Sequence, residues 1–452
     1  LTLWLTTLLL AGWLVWRLVR TGGPARTPLD RPLLAWLVVW LAATLFSTVP
    51  TYSRETTVFF LSYLGFYYLS ADLGRRPWLR ELVLNAVVAV SGLVWTLGLW
   101  QLLRWLQTRP PVPALLAQVD LPLALPRLTV LGNANTMAAY ITLVAPVVLY
   151  KLLTVHRRTA RLLLALWLAL LTLSVLLTQS RGGLLGWAVG MAAFVLLTAR
   201  LRRPFTRLRR LWPVLAVAVV LLAGLLWPTL ARSDLPAAAR IRGQVGLASL
   251  KTLAAHPVLG AGPGVLGQEL LLRQEPLDRI WADAHNLYLT LAAETGLAGL
   301  AVLVWLALTA AHQLRRDGPS AAAACAAGLL GFAAHNLVDS LFKFPVLMLT
   351  AAVWAGFWLA GNRNTAGQKP WPRPAVLAAL GLVVAVLAVG LYDLRHIDRY
   401  TQAVKAASYS DWSGARQALL EAAALAPDVP FYRRQLGLVT GFLAADNPAY
   451  RP

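Results

Sequence analysis

Long apolar blocks, separated by short polar breaks, organise this chain. Apolar runs near the length that crosses a bilayer, about 20 residues, recur at 1–19, 33–49, 56–71, 82–106, 130–150, 161–178, 183–199, 211–228, 286–311, 320–340, 344–361 and 374–392. The pattern predicts an all-α, polytopic helical membrane protein of about twelve transmembrane helices. Residues 229–285 are the exception, a long polar stretch punctuated by Pro and Gly. After residue 392 the apolar blocks stop. The expected division is a membrane domain over 1–392, with 229–285 as its large loop, and a small helical tail over 393–452.

Composition agrees with the pattern. The chain of 452 residues is 58% hydrophobic and 13% charged, against about 25% charged in soluble domains, and its mean hydropathy is +0.62. Many Trp residues stand near run ends, among them Trp36, Trp78, Trp105, Trp227 and Trp281, where an amphipathic ring suits the headgroup zone. A net charge of +22 would suggest nucleic acid in a soluble protein. Here the bases crowd into alternate loops instead. Arg17, Arg20, Arg26 and Arg31 fill the first, Arg75, Arg76 and Arg80 the third, Lys151 to Arg161 the fifth, and Arg200 to Arg210 the seventh. The second, sixth and tenth hold one base each, Arg54, Arg181 and Lys343, while the fourth, with Arg104, Arg109 and Arg127, is mixed. By the positive-inside rule the odd loops are cytoplasmic, which puts the long loop and the tail outside and removes any need for a nucleic-acid partner. Cys325 is the one cysteine, so an intrachain disulfide and a cysteine metal site are excluded. Leu1 lies inside an apolar run with no Met before it, and with the start placed outside, an upstream span is expected.

Polar residues at span ends carry the candidate chemistry, because polar groups in a membrane protein are costly and tend to serve function. Asn133 and Asn135 open the fifth span; they serve as a helix cap or line a polar cavity for a hydroxyl-rich ligand. Ser180-Arg181-Gly182-Gly183 forms a tight turn between the sixth and seventh spans. Arg181 either snorkels or offers its planar fork, with a helix N-terminus, to phosphate oxygens. In the long loop, Arg240, Arg242 and Lys251 give a surface helix a basic face, which is solvated charge or a second anion contact. His256 to Gly264 follows as a turn-rich loop without the Gly-Lys-Ser/Thr of a phosphate loop. His285-Asn286 stands at the mouth of the ninth span. His285 is suited to proton transfer near neutral pH, and Asp283, Asn286 and Glu294 are placed to support it; a structural histidine is the alternative. Gly296 and Gly299 have small-residue spacing for close helix packing. His335 and Asp339, at i and i+4, form a buried pair or a further support for the site.

In the tail, Ala415, Leu419, Ala422 and Pro427, then Leu436-Gly437, fall at the positions of a tetratricopeptide-like repeat. A generic helical hairpin fits equally. A stable array needs roughly three repeats, so further chain is expected beyond Pro452.

The order of these motifs resembles the O-antigen ligase and O-antigen polymerase superfamily. The residues that carry the resemblance are Asn133 and Asn135, Ser180 to Gly183, Arg242 with His256-Pro257 through Gly264, and His285-Asn286 through Gly299, over roughly residues 128–361. One departure is Gly246, where the family often has Trp a turn after the arginine. The resemblance implies a GT-C-like membrane glycosyltransferase that moves a glycan from an undecaprenyl-pyrophosphate donor to an acceptor at the outer face of the bacterial inner membrane. No cofactor and no metal are implied. It assigns His285 as general base and Arg181, Arg242 and Arg240 as pyrophosphate contacts. Asn133, Asn135, Ser180 and Asn286 line the substrate cavity, and Asp283, Glu294, His335 and Asp339 support it. The acceptor, a glycan, lipid or protein hydroxyl, separates ligase, polymerase and protein O-oligosaccharyltransferase, and a tail outside the membrane suits a protein partner. A solute transporter is the alternative from another class; it predicts broken helices and internal repeats.

Overall fold

The computed structural model describes residues 2–21, 23–107, 133–198, 235–273, 283–314, 320–360 and 370–446. They form helices α1 (Thr2–Thr21), α2 (Asp30–Leu45), α3 (Pro50–Leu73), α4 (Pro77–Gln107), α5 (Ala134–Thr154), α6 (Arg158–Leu177), α7 (Arg181–Thr198), α8 (Leu235–Ala255), α9 (Leu266–Arg273), α10 (Leu287–His312), α11 (Ala321–His335), α12 (Pro345–Ala360), α13 (Arg373–Ser408), α14 (Trp412–Leu425) and α15 (Pro430–Asp446). The protein is all-α and polytopic. Among the described residues, six helices are long and apolar enough to cross a membrane, and α11 and α12 are shorter apolar helices. Each expected span falls on one of these helices except 211–228, which lies outside the described residues.

α5 is the axis of the bundle. Every residue from Thr136 to Val148 is buried, as befits a helix apolar on all sides. α6, α7, α11 and α12 surround it. Trp354 of α12 donates a buried 2.9 Å hydrogen bond to the Leu143 carbonyl. α7 and α11 meet along small residues spaced four apart: a Cβ on Gly186 would lie 2.7 Å from the Gly331 carbonyl oxygen, and one on Gly190 3.2 Å from that of Ala327. Backbone contact of this kind is how membrane helices gain packing without large side chains. Trp36 is also buried, its ring tilted 49° against that of Trp40 at 6.0 Å in an aromatic cluster.

Loops gather at two ends. At one, Arg17 pairs with Asp72 at 3.3 Å, the Trp371 N–H donates to Pro24 O at 2.9 Å, and Lys151 pairs with Glu81. These are loops of the odd, base-rich set. At the other end, the Thr48 N–H donates to Ala261 O at 2.9 Å, Leu287 N–H to Asn336 O at 3.0 Å, and Thr51 is held by Asp428.

α10 is broken at Gly296, whose φ of 68° and ψ of −167° leave the helix. The sequence spacing suggests that Gly296 packs against another helix. Instead its neighbour is a loop: a Cβ there would lie 2.2 Å from the Val258 carbonyl oxygen. Residues 257–265 fill the break. Ala261 and Gly262 donate to the carbonyls of Ala293 and Glu294, both at 3.0 Å, while Leu297 and Ala298 donate to Pro257 and Val258 at 2.8 and 3.2 Å. The loop thereby pairs backbone groups on both sides of the break, as an apolar surrounding demands. The expected boundary at residue 392 lies inside α13, which continues to Ser408. α14 and α15 fold back as a helical hairpin whose core includes Ala415, Leu419, Ala422 and Tyr432.

Candidate active site

Asn286 caps α10: its Oδ1 accepts the Leu289 N–H at 3.0 Å, and its amide donates to Leu337 O at 2.9 Å. His285, just before the cap, has φ 49°, a left-handed conformation uncommon outside glycine and several-fold enriched in Asn, Asp and His. An Asp turn holds it there, since Asp283 Oδ1 accepts the His285 N–H at 3.0 Å. Such backbone cost is usually met at functional sites. The loop after α11 crosses the same helix mouth, with Leu287 N–H also donating to Asp339 O at 2.9 Å.

The imidazole therefore sits between two carboxylates. Nδ1 lies 3.6 Å from Asp339 Oδ1 and 3.8 Å from Asp283 Oδ1, and the side chain is 25% exposed. Lys343 forms an ion pair with Asp283. Burial alone would raise the Asp339 carboxyl, but the hydrogen bond with His285, the Ser340 N–H at 2.8 Å and the charges of His335 and His285 hold it below the usual carboxylate value. His335 is fully buried, with Nε2 4.0 Å from Asp339 Oδ2, and among the described residues neither ring nitrogen has a hydrogen-bond partner.

Arg181 starts α7 at the same place. Ser180 Oγ caps this helix by accepting the Gly183 N–H at 3.0 Å. A Cβ on Gly182, next to Arg181, would lie 2.7 Å from both the His335 ring and Val338. Arg181 is thus one residue from the segment that carries Asp339, and its side chain is exposed. Asn133 caps α5 through Thr136 N–H at 2.8 Å, and α5 meets α7 where Ala138 touches the Gly183 backbone. Asn135 is half-buried in the first turn. For Asn133, Ser180 and Asn286 the side-chain oxygens serve as caps. Three capped N-termini come together at one end of the bundle, each with partial positive charge.

Arg240 and Arg242 are exposed on α8, and neither has a hydrogen-bond or ion-pair partner among the described residues. The opposite face of α8 packs Val245 and Ala248 with Ala284 and Ala293. Gly246 stands near Leu289, whose Cδ2 would be 3.9 Å from a Cβ, so α8 lies close over the first turns of α10. Glu294, expected to support His285, is placed elsewhere. Its Oε1 accepts the Leu266 N–H at 3.2 Å and anchors the loop that fills the α10 break. Lys343 and Asn336 gain roles the sequence left open: Asn336 Oδ1 accepts the Leu341 N–H at 3.1 Å and shapes the loop around Asp339.

Comparison with curated proteins finds no match. Residues 164–304 match the family model described as O-antigen ligase, Wzy_C. This segment runs from α6 into α10 and holds Arg181, Arg240, Arg242 and His285, so the part of the chain that carries these four residues is similar to the O-antigen ligase family.

Proposed function

We propose that the protein transfers a glycan from an undecaprenyl-pyrophosphate donor to an acceptor hydroxyl at the outer face of the bacterial inner membrane, without a metal ion and with inversion. The observation that carries this is the His285–Asp339 pair beside Arg181, at an end of the bundle where three helix N-termini converge. A carboxylate at Nδ1 keeps the proton on that nitrogen and makes Nε2 the basic one. His285 Nε2 takes the acceptor hydroxyl proton as the oxygen attacks the anomeric carbon. The bond from that carbon to the phosphate oxygen breaks, and its electron pair leaves with the pyrophosphate. Arg181 and Arg242, with Arg240 nearby on α8, receive the growing negative charge, the part a metal ion plays in other transferases. Asn135 and the amides of Asn133 and Asn286 face the glycan.

The transporter alternative predicts a broken helix, and α10 has one. The loop of residues 257–265 seals that break with backbone hydrogen bonds, which favours a rigid scaffold under the site over a substrate path. Ligase, polymerase and protein O-oligosaccharyltransferase activities share this chemistry. The tail meets the bundle end that holds the site through Thr51 and Asp428, which suits recruitment of an acceptor-bearing partner.

The test is glycan transfer by the purified protein in lipid discs, using a lipid-pyrophosphate glycan and a panel of acceptors. His285→Ala is expected to lower the rate by roughly 10²–10⁴-fold, the usual contribution of a general base. Arg181→Lys is expected to lower it as well, because the bidentate fork is lost, and chelators are expected to leave it unchanged. Full activity in His285→Ala would overturn the base assignment.

A further inference from the structure

A cavity of about 430 Å³ lies between α1, α2, α3 and α13, within the range of about 300–1,000 Å³ typical of ligand pockets. Its walls are apolar, with Leu10 and Leu14 of α1, Leu37 of α2, Leu64 of α3 and Leu382 of α13 among them. Pro24 and Trp371 line one end of it. There the charge changes. The Arg26 guanidinium lies 5.4 Å over the Trp371 ring, and exposed Arg31 opens α2 just before the lining residues Leu33 and Leu34. The Asp30 carboxylate, beside Arg31 in sequence and within electrostatic reach of Arg26, is turned inward. It accepts from the Thr27 hydroxyl at 2.6 Å and the Tyr68 hydroxyl at 3.0 Å. Arg17 is engaged with Asp72 and the Gly23 carbonyl.

An apolar slot with an arginine rim at one end matches a lipid with an anionic head. We infer that this cavity holds one hydrocarbon chain of an anionic phospholipid, with its phosphate against Arg26 and Arg31. An empty cavity here would leave its lining atoms without dispersion partners, while basic pockets between membrane helices are suited to acidic headgroups. The occupant is a membrane phospholipid and not a lipid-linked sugar donor, because the polarity is wrong for the donor. α3 has 24 residues, a rise of about 36 Å, and runs from the end that holds His285 to the end that holds Trp371. The cavity touches α3 from Leu61 to Tyr68, toward the second end. A pyrophosphate at His285 would lie at the opposite end of α3 from Arg26 and Arg31. A bound phospholipid would brace α1 and α13 against α3.

The test uses the full chain, stripped of lipid in detergent and then offered phosphatidylglycerol or phosphatidylethanolamine, with retained lipid read by native mass spectrometry. One phosphatidylglycerol per chain is expected to be retained over phosphatidylethanolamine. Arg26→Gln with Arg31→Gln is expected to weaken retention by roughly thirtyfold, the combined effect of two basic residues at a lipid surface. A second measurement needs no variant: phosphatidylglycerol with a photoreactive chain is cross-linked to the unaltered protein, and adducts are expected to concentrate on Leu10, Leu64 and Leu382. Equal retention of the two lipids, adducts spread evenly around the lipid-facing helices, or a polyprenyl lipid recovered in place of phospholipid would each overturn the assignment.

Discussion

An imidazole whose Nδ1 lies 3.6 Å from one carboxylate and 3.8 Å from another is held in one orientation before any substrate arrives. The two carboxylates are not equivalent. Asp283 is shared with Lys343 and with the His285 N–H, so its charge is largely answered. Asp339 is held below the usual carboxylate value, because its hydrogen bonds and the nearby histidines outweigh its burial. A carboxyl with a lowered folded-state value lends stability above its unfolded value, and that stability is lost as pH falls through the folded value. Asp339 is therefore charged at neutral pH, and in the proposed mechanism it would stabilise the imidazolium formed when His285 takes a proton. Asp339→Asn is expected to lower kcat on the order of 10²-fold, and to move the acidic limb of the kcat/KM profile to lower pH, because the neutral amide no longer favours the charged ring. A pH–rate series on both proteins checks this; a uniform drop with an unmoved limb would make Asp339 structural only. The sequence shows these polar residues but not their use. Asn133, Ser180 and Asn286 are visible as polar groups at helix mouths, yet only geometry tells that each spends an oxygen on a cap. Glu294 lies on α10, the helix that His285 precedes, but the Leu266 N–H draws it to the loop that fills the break.

At the scale of elements, α10 and the loop of residues 257–265 form one unit. Gly296 has φ 68° with the Val258 carbonyl against its missing Cβ, and Gly260, at φ 71°, answers from the loop side against Glu294. Gly296→Ala places a Cβ 2.2 Å from that oxygen. The backbone strain alone costs about 1–3 kcal/mol, and the clash adds to it, so the variant is expected to melt lower in detergent by size-exclusion or intrinsic fluorescence. Gly243, in α8, has nothing within 4 Å of the point that a Cβ would occupy. Gly243→Ala is expected to be neutral or to stabilise by about 0.5–1 kcal/mol. Equal loss in both variants would mean that the break at Gly296 is not what the loop supports. Apolar periodicity is enough to locate the helices, because a span needs a fixed length of apolar chain whatever its neighbours. Gly296 is different. Its spacing with Gly299 looks like a packing motif, and the break depends on carbonyl and N–H groups from a loop far away in sequence. The α7–α11 contact through Gly182, Gly186 and Gly331 is likewise a pairing of distant segments.

Across the whole molecule, one end of α3 is finished by the tail. The residue before α3, Val49, makes no side-chain cap. Asp428, from the turn between α14 and α15, accepts the Thr51 N–H at 2.6 Å and the Thr51 hydroxyl at 2.7 Å. A carboxylate at a helix N-terminus answers both the unpaired N–H groups and the dipole, so the tail caps α3 from across the chain. Arg54 adds a 3.1 Å ion pair to Asp393 of α13, and His396 Nδ1 meets the Tyr432 hydroxyl at 2.7 Å. The same stretch of chain before and within α3 reaches the loop under the site, through Thr48 to Ala261 and Ser53 to Pro263 at 2.8 Å. The tail and the candidate site are therefore joined through residues 47–54, and also directly where Arg434 of α15 donates to Gln268 Oε1 of α9 at 3.3 Å. Asp428→Ala removes the cap, with an expected loss of about 0.5–2 kcal/mol. Hydrogen exchange should quicken in residues 50–56 and in α14 and α15, while the amides of α5 and α11 keep their protection. If the tail positions an acceptor, transfer to that acceptor should fall through KM with little change in kcat, since His285 and Asp339 are untouched. Faster exchange confined to the tail, with residues 50–56 unchanged, would mean that Asp428 serves the hairpin alone and that α3 finds its cap elsewhere.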